Sequence, residues 1–245
     1  MSFKRFEQNV IYLDEVGSTN DYLIELSKES TLPNGSSVVA MNQTMGKGQR
    51  LATWTAQAGK NLTCSTIFYP SIEIKDAFNL NIAASLAVRN VLKDLGIEAE
   101  IKWPNDILVK EKKICGILVE NVLQGKKVSQ SVIGVGLNIN QSDFEDLPNA
   151  TSIYLEKDIE FEVLEVHEQF LKYLDFWLDW MEQKNFSLLK KNYLQCLYKL
   201  DVEHHFEDKQ GAFSGIITGI SESGLLQIKA NQEVRQYDIK EVRYS

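Results

Sequence analysis

The chain has 245 residues, with 26 Lys+Arg against 34 Asp+Glu and a formal net charge of −8. Apolar content of 44% and charged content of 24% exclude general disorder, and the length allows a large core in one or two domains. The acidic balance argues against a dedicated nucleic-acid or anionic-membrane binder, no apolar run reaches the length of a transmembrane helix, and the first residues lack a signal-peptide apolar stretch.

In chain order, residues 10–14 read as a strand. Ser18 then caps a helix to about Lys28, with Asp21 three residues on, where an acid suits the positive helix end. Residues 36–42 read as a second strand, and a polar, glycine-punctuated loop follows over 43–60. Residues 61–70 form a β-rich run ending at Pro70. Apolar residues at helical spacing over 76–95 predict a helix stopped by Gly96. Short strands around 100–103, 107–109, 114–122 and 128–135 alternate with turns, a pattern of antiparallel hairpins rather than βαβ units. The hairpin tip is expected at the charged stretch 110–113. Residues 162–183 are strongly amphipathic (Val163, Val166, Phe170, Leu174, Trp177, Met181) and predict a helix with a core-facing stripe, followed by another over 186–199. From Val202 onward, short β-like pieces separated by Gly/Ser/Asn turns predict a small antiparallel barrel. Cys64, Cys115 and Cys196 form no CxxC pair, which suggests reduced thiols in a cytoplasmic protein. His167, His204 and His205 lack zinc-site spacing.

The chemistry begins with an absence. From Ser30 to Ile72 there is no Asp or Glu, although an even spread of the acids would put several there. The only formal charges are Lys47, Arg50 and Lys60. A loop with Gly46, Gly48 and cations but no acids suits a phosphate or carboxylate ligand; the plainer alternative is an uncharged solvent loop. Lys102-Trp103-Pro104-Asn105-Asp106 places a cation, an amide and a carboxylate around a tight turn, which alone is an ordinary Pro-Asn-Asp turn. Lys112 and Lys113 precede an apolar strand and alone would be solvated tip charges. Residues 134–140 (GVGLNIN) read as a buried strand leading into a close-approach turn, and a lone GxG is weak evidence for a nucleotide.

Together and in this order, the pieces resemble the biotin–protein ligase family (biotin holocarboxylase synthetases). They are Gly17-Ser18-Thr19-Asn20; residues 43–54, similar to the family's QTxGRGRRGRxW; KWPNDI at 102–107; KxxGILVE at 113–120; GVGLNIN at 134–140; and Ala150-Thr151-Ser152-Ile153. KWPND with KxxGILxE is the specific signature. The motifs cover roughly 10–155, and the general layout extends the likeness to the end. The resemblance implies an α+β fold, mostly antiparallel sheet with packed helices (a class II synthetase-like catalytic core, 1–199), plus a small C-terminal SH3-like β-barrel (200–245).

The implied reaction has two steps. The carboxylate of biotin attacks the α-phosphate of ATP to give biotinyl-5′-AMP, and a lysine of a biotin carboxyl carrier domain then takes the biotin. By position, the resemblance implies that Ser18, Thr19, Asn20 and Gln43 contact the biotin head, and that Lys47, Gly48 and Gln49 hold the tail and acyl-phosphate. Trp54 would stack on adenine, Arg50 would lie on the ATP side, Lys113 would sit between carboxylate and α-phosphate, and Asn138 would contact adenine or ribose. Lys102, Asn105 and Asp106 would serve the triphosphate, with Asp106 the candidate Mg²⁺ ligand; Lys113, Lys47 and Asp106 are the expected catalytic groups. Lys47 keeps a charge without the bidentate fork of the family's arginine, Gln49 has no charge, and Lys60 is a possible substitute. The likeness starts by about residue 10, which leaves no room for an N-terminal helix-turn-helix, so DNA binding through one is not expected. The expected protein is a cytoplasmic monomer or homodimer with no membrane partner. The alternatives are a lipoate ligase-like transferase, or a binding module without catalysis.

Overall fold

The computed structural model describes residues 9–49, 52–144 and 147–245. Strand β1 (Val10–Val16) leads into α1 (Thr19–Glu29), and β2 (Ser37–Gln43) returns beside β1. The order continues with β3 (Leu62–Phe68), β4 (Ile72–Glu73), a 3₁₀ turn (Ile74–Asp76) and α2 (Phe78–Asp94). Four strands follow: β5 (Glu100–Lys102), β6 (Asp106–Val109), β7 (Lys112–Gln124) and β8 (Lys127–Leu137). Helices α3 (Ile153–Lys157), α4 (Val163–Glu182) and α5 (Phe186–Leu194) precede the last strands β9 (Glu203–Asp208), β10 (Gly211–Ile220), β11 (Leu226–Ala230), β12 (Glu233–Tyr237) and β13 (Val242–Tyr244).

The larger sheet runs β1-β2-β3-β8-β7-β6-β5, with β4 continuing along β8. Its pairs are antiparallel except β1 with β2, which run parallel because α1 carries the chain back to the starting end. Helices α2 and α4 cover one face. The α4 stripe read from the sequence is buried there: Val166, Phe170, Leu174, Trp177 and Met181 lie in the main core, with Val163 at its margin. The opposite face is covered only in part, by α1, whose Leu23 packs on Val38, Ile67 and Val132. Gly134 and Gly136 follow Val132 on that face at the strand period of two, and there a cleft separates the sheet from its covering elements.

Three local features differ from the sequence reading. The β6–β7 turn is tightest at Lys110 and Glu111, with φ of 48° and 67°, so Lys112 and Lys113 already belong to β7. Helix α5 ends at Leu194, not near 199, because the following chain pairs with β5: Ile101 N donates to Cys196 O and Tyr198 N to Ile101 O. Helix α3, capped by Ser152, is too short to show a periodicity.

The C-terminal sheet is antiparallel in the order β12-β11-β10-β9-β13. It is rolled so that Tyr237 on β12 donates its hydroxyl to Asp208 on β9 at 2.9 Å. Phe206, Ile217, Leu226 and Ile228 join the main hydrophobic core. Trp103 Nε1 donates to Gly224 O at 2.8 Å, fastening KWPND to this sheet. Among the described residues no helix is long and apolar enough to cross a membrane.

Candidate active site

The open part of the sheet face is the floor of a cleft of about 550 Å³. Gly116 and Gly136 are cross-strand partners, as are Leu118 and Gly134, so a patch of bare backbone faces the cleft. Two overlying groups demand it. A Cβ on Gly136 would come within 2.3 Å of the Trp54 indole, and one on Gly134 within 2.3 Å of Asn20 Oδ1.

One wall is polar. The parallel register puts Val16 opposite Gln43, which brings the first turn of α1 beside the end of β2. Ser18, at φ −148°, caps α1 and accepts from Asp21 N. Thr19 donates from both N and Oγ1 to Gln43 Oε1, at 2.8 and 2.9 Å. Behind them Ser65 Oγ lies 2.7 Å from Thr19 Oγ1 and 2.5 Å from Asn20 Oδ1, and Asn20 Nδ2 donates to Glu120 at 2.7 Å.

A second wall is the 43–60 loop, which is less irregular than its composition suggests. Trp54 N donates to Gly46 O, Gly48 N donates to Ala52 O, and Lys47 bridges Thr53 as in a short hairpin. Gly46 serves this hairpin, since a Cβ there would lie 2.3 Å from Trp54 O. Lys47 Nζ donates to Asp21 at 2.6 Å, and that hydrogen bond raises the lysine pKa against a smaller opposing effect of burial. The Trp54 indole rests on the glycine floor with Lys113 Nζ 5.8 Å from the ring, and its buried Nε1 has no hydrogen-bond partner among the described residues.

The third wall holds the charged and amide groups of KWPND and Lys113. Lys113 Nζ lies 2.7 Å from Asp106 Oδ1 across the β6–β7 pair. Asn105 donates its amide to Ile117 O, and Lys102 Nζ sits 4.7 Å over the Tyr244 ring. The C-terminal sheet closes this side with Ile239, Lys240, Val242, Arg243 and Tyr244.

The structure thus brings together along one cleft Ser18, Thr19, Asn20, Gln43, Lys47, Gly48, Gln49, Trp54, Lys102, Asn105, Asp106 and Lys113. Arg50 lies outside the described residues. Asn138 does not line the cleft: it is buried just past the end of β8, where its amide donates to Thr151 O and its backbone to Ile114 O. Lys60 is also elsewhere, donating to Glu160 at 3.0 Å, so it does not supply the charge that Gln49 lacks. Sequence reasoning missed the C-terminal wall, and it quoted Glu120 at the end of KxxGILVE without giving it a role. Lys240 and Arg243 could have been flagged as cations near the chain end, but nothing local says that β13 returns to the cleft.

The fold and the cleft define the class. Residues 12–138 match the Biotin/lipoate A/B protein ligase family, and this chain belongs to that family. It is 30% identical over 235 residues to the bifunctional ligase/repressor BirA of Bacillus subtilis, covering 94% of this chain and 72% of that protein. It is 33% identical over 146 residues to the biotin–[acetyl-CoA-carboxylase] ligase of Mycobacterium tuberculosis, covering 57% of this chain and 52% of that one. The biotin protein ligase of Aquifex aeolicus in complex with biotin and ATP superposes with a TM-score of 0.81 at 28% identity, over 97% of this chain and 100% of that one.

Proposed function

We propose that this protein is an ATP-dependent biotin–protein ligase. It joins the biotin carboxylate to the α-phosphate of ATP, releasing pyrophosphate, and passes biotin from biotinyl-5′-AMP to a lysine of a biotin carboxyl carrier domain, forming an amide and releasing AMP. The observation that carries this reading is the joining of two unlike walls in one cleft. A hydroxyl–amide corner suits a neutral ureido ring, and Lys113, Lys102 and Lys47 suit the two anions that must meet. The Mycobacterium tuberculosis and Aquifex aeolicus relatives, both named as biotin ligases, support it.

The chemistry needs two negative groups held within reacting distance, so positioning and charge stabilisation supply most of the catalysis. Lys113, paired with Asp106 in the free protein, is placed to exchange that partner for the oxygens of the α-phosphate and to offset the charge that builds there. Asp106 would then be released to hold magnesium. Among the described residues no three His, Cys, Asp or Glu cluster as a metal cage, which fits an ion brought by the triphosphate and held by one protein carboxylate. Bound there, Mg²⁺ would neutralise phosphate charge. Lys102, steadied over Tyr244, would face the same phosphates. Residues 1–199 would form the catalytic unit and 200–245 the module that closes it.

The acceptor domain has an open sheet edge to meet. Strand β6 pairs with β7 only as far as Gly116, so from Leu118 onward that side of β7 has no partner strand among the described residues, and Val122 and Leu123 are exposed. The decisive experiment is ATP–pyrophosphate exchange with biotin, with lipoate and with no acid. Exchange that requires biotin is expected. Exchange that requires lipoate instead, or none at all, would overturn the reading.

A further inference from the structure

Glu120 does not line the cleft, and its one link to the mechanism so far is a minor coulombic pull on Lys47, smaller than that of Asp21. It stands behind the polar corner, and proton counting there gives it a role. Gln43 Oε1 is fixed as an acceptor, because the Thr19 backbone N–H points at it from 2.8 Å. Running inward, Thr19 Oγ1 lies 2.9 Å from Gln43 Oε1, Ser65 Oγ 2.7 Å from Thr19 Oγ1, and Asn20 Oδ1 2.5 Å from Ser65 Oγ. These are three oxygen–oxygen contacts, and the two hydroxyls bring one proton each. With Asn20 in this orientation the row is one proton short, so Ser65 must divide its proton between two acceptors.

Turning the Asn20 amide over would cure the shortage, since Nδ2 would donate to Ser65 and every contact would hold a proton. The reversed amide would point Oδ1 at Glu120 Oε2 and at the Leu118 carbonyl, both of which only accept. Amide orientation is set by such networks. The carboxylate of Glu120, 2.7 Å from Asn20 Nδ2, therefore decides which end of Asn20 faces Ser65 and the cleft.

We propose that Glu120 is a positioning residue that fixes the polarity of the recognition corner: by holding Asn20 with its oxygen inward, it keeps the corner rich in unsatisfied acceptors and so selective for a ligand edge that presents N–H donors. This rests on the biotin ligase reading, in which that edge is the ureido ring. The arrangement trades some stability of the free protein for recognition.

The test is Glu120→Gln. An amide at position 120 can donate to a reversed Asn20 Oδ1 across the shorter of its two contacts, 2.7 Å, leaving only the 3.4 Å approach to the Leu118 carbonyl against reversal, and the row becomes a continuous donor chain from that new amide through Asn20, Ser65 and Thr19 to Gln43. The variant is expected to melt at the native temperature or above it. In pyrophosphate exchange its KM for biotin should rise about tenfold, with kcat and the KM for ATP unchanged. The double variant Asn20→Asp/Glu120→Gln restores an acceptor at position 20, to which the introduced amide at position 120 donates. Its biotin KM should return to within about threefold of native. An unchanged biotin KM in Glu120→Gln, equal losses for biotin and ATP, a lowered melting temperature, or no rescue in the double variant would each overturn the proposal. Absence of biotin-dependent exchange in the native protein would instead strike the functional reading, and the melting temperatures would still decide the proton count.

Discussion

Lys112 and Lys113 are neighbours in sequence with different surroundings. Lys112 is exposed at the start of β7, whereas Lys113 is half-buried, 2.7 Å from Asp106 and facing Trp54 from 5.8 Å. The tip lies one step earlier than the sequence suggested, and this separates them. Lys113→Ala should slow biotinyl-AMP synthesis about 100-fold or more while the protein stays folded, because a charge aimed at the reacting phosphate is lost. Lys112→Ala should change the rate little. Single-turnover synthesis of the adenylate checks both, and an essential Lys112 beside a dispensable Lys113 would contradict the placement. Gln49 poses the complementary question. It lines the cleft as a neutral amide, and Lys60 is held away by Glu160. Gln49→Arg should add a charged hydrogen bond worth about 1.5–3 kcal/mol and slow biotinyl-AMP release roughly tenfold or more. It should also suppress stray labelling of bystander lysines. Equal release from the two proteins would show that another group already provides the charge.

At the level of elements, what repeats along the chain was readable and what depends on a distant partner was not. The α1 cap at Ser18, the α4 stripe and the β7–β8 hairpin follow from capping chemistry, helical period and turn residues, and the structure has all three. The parallel β1–β2 pair, the early end of α5 and the return of β13 to the cleft are set by contacts between remote segments. So is the fate of Asn138, whose motif is local but whose amide is held by Thr151. The 43–60 loop shows both kinds of information. Its missing acids drew attention to a stretch that lines the cleft, yet its hairpin hydrogen bonds carry no signature in composition. Those bonds sharpen an expectation about ordering. The amides of Gly48 and Trp54, already bonded within the loop, should exchange slowly in the free protein. Those of Lys47 and Gln49 should slow markedly only when biotin and ATP are added together. Hydrogen exchange followed residue by residue separates the two cases, and uniform protection without ligand would make the loop a rigid cradle.

Across the whole molecule, one core underlies both sheets, so the cleft is only as well formed as the packing beneath it. That packing contains a polar group with no part in the proposed chemistry. His167 on α4 is buried against Ser37 on β2, its Nε2 3.2 Å from Ser37 Oγ, and burial lowers its pKa to about 4 from the usual 6.5. Ser37 in turn contacts Thr66, so the ring is held in a neutral, hydrogen-bonded pocket on the face opposite the cleft. The folded state therefore disfavours the imidazolium, while the unfolded chain takes up a proton near pH 6.5. Above that pH both states are neutral and the full stability is present. Between pH 6.5 and about 4 the unfolded state binds the extra proton, so stability falls with pH over this interval. At about 1.4 kcal/mol per pH unit the loss is about 2 kcal/mol at pH 5 and approaches ~3 kcal/mol near pH 4. His204 has its pKa lowered in the same direction by burial, but it sits in the C-terminal sheet with little shielding and adds less. Urea midpoints from pH 7 to pH 5 should decline with close to one proton taken up on unfolding. His167→Gln, which keeps a donor and an acceptor for Ser37 without a titrating ring, should flatten that decline even if it lowers the plateau at pH 7. A decline of the same slope in His167→Gln would place the acid sensitivity in other groups.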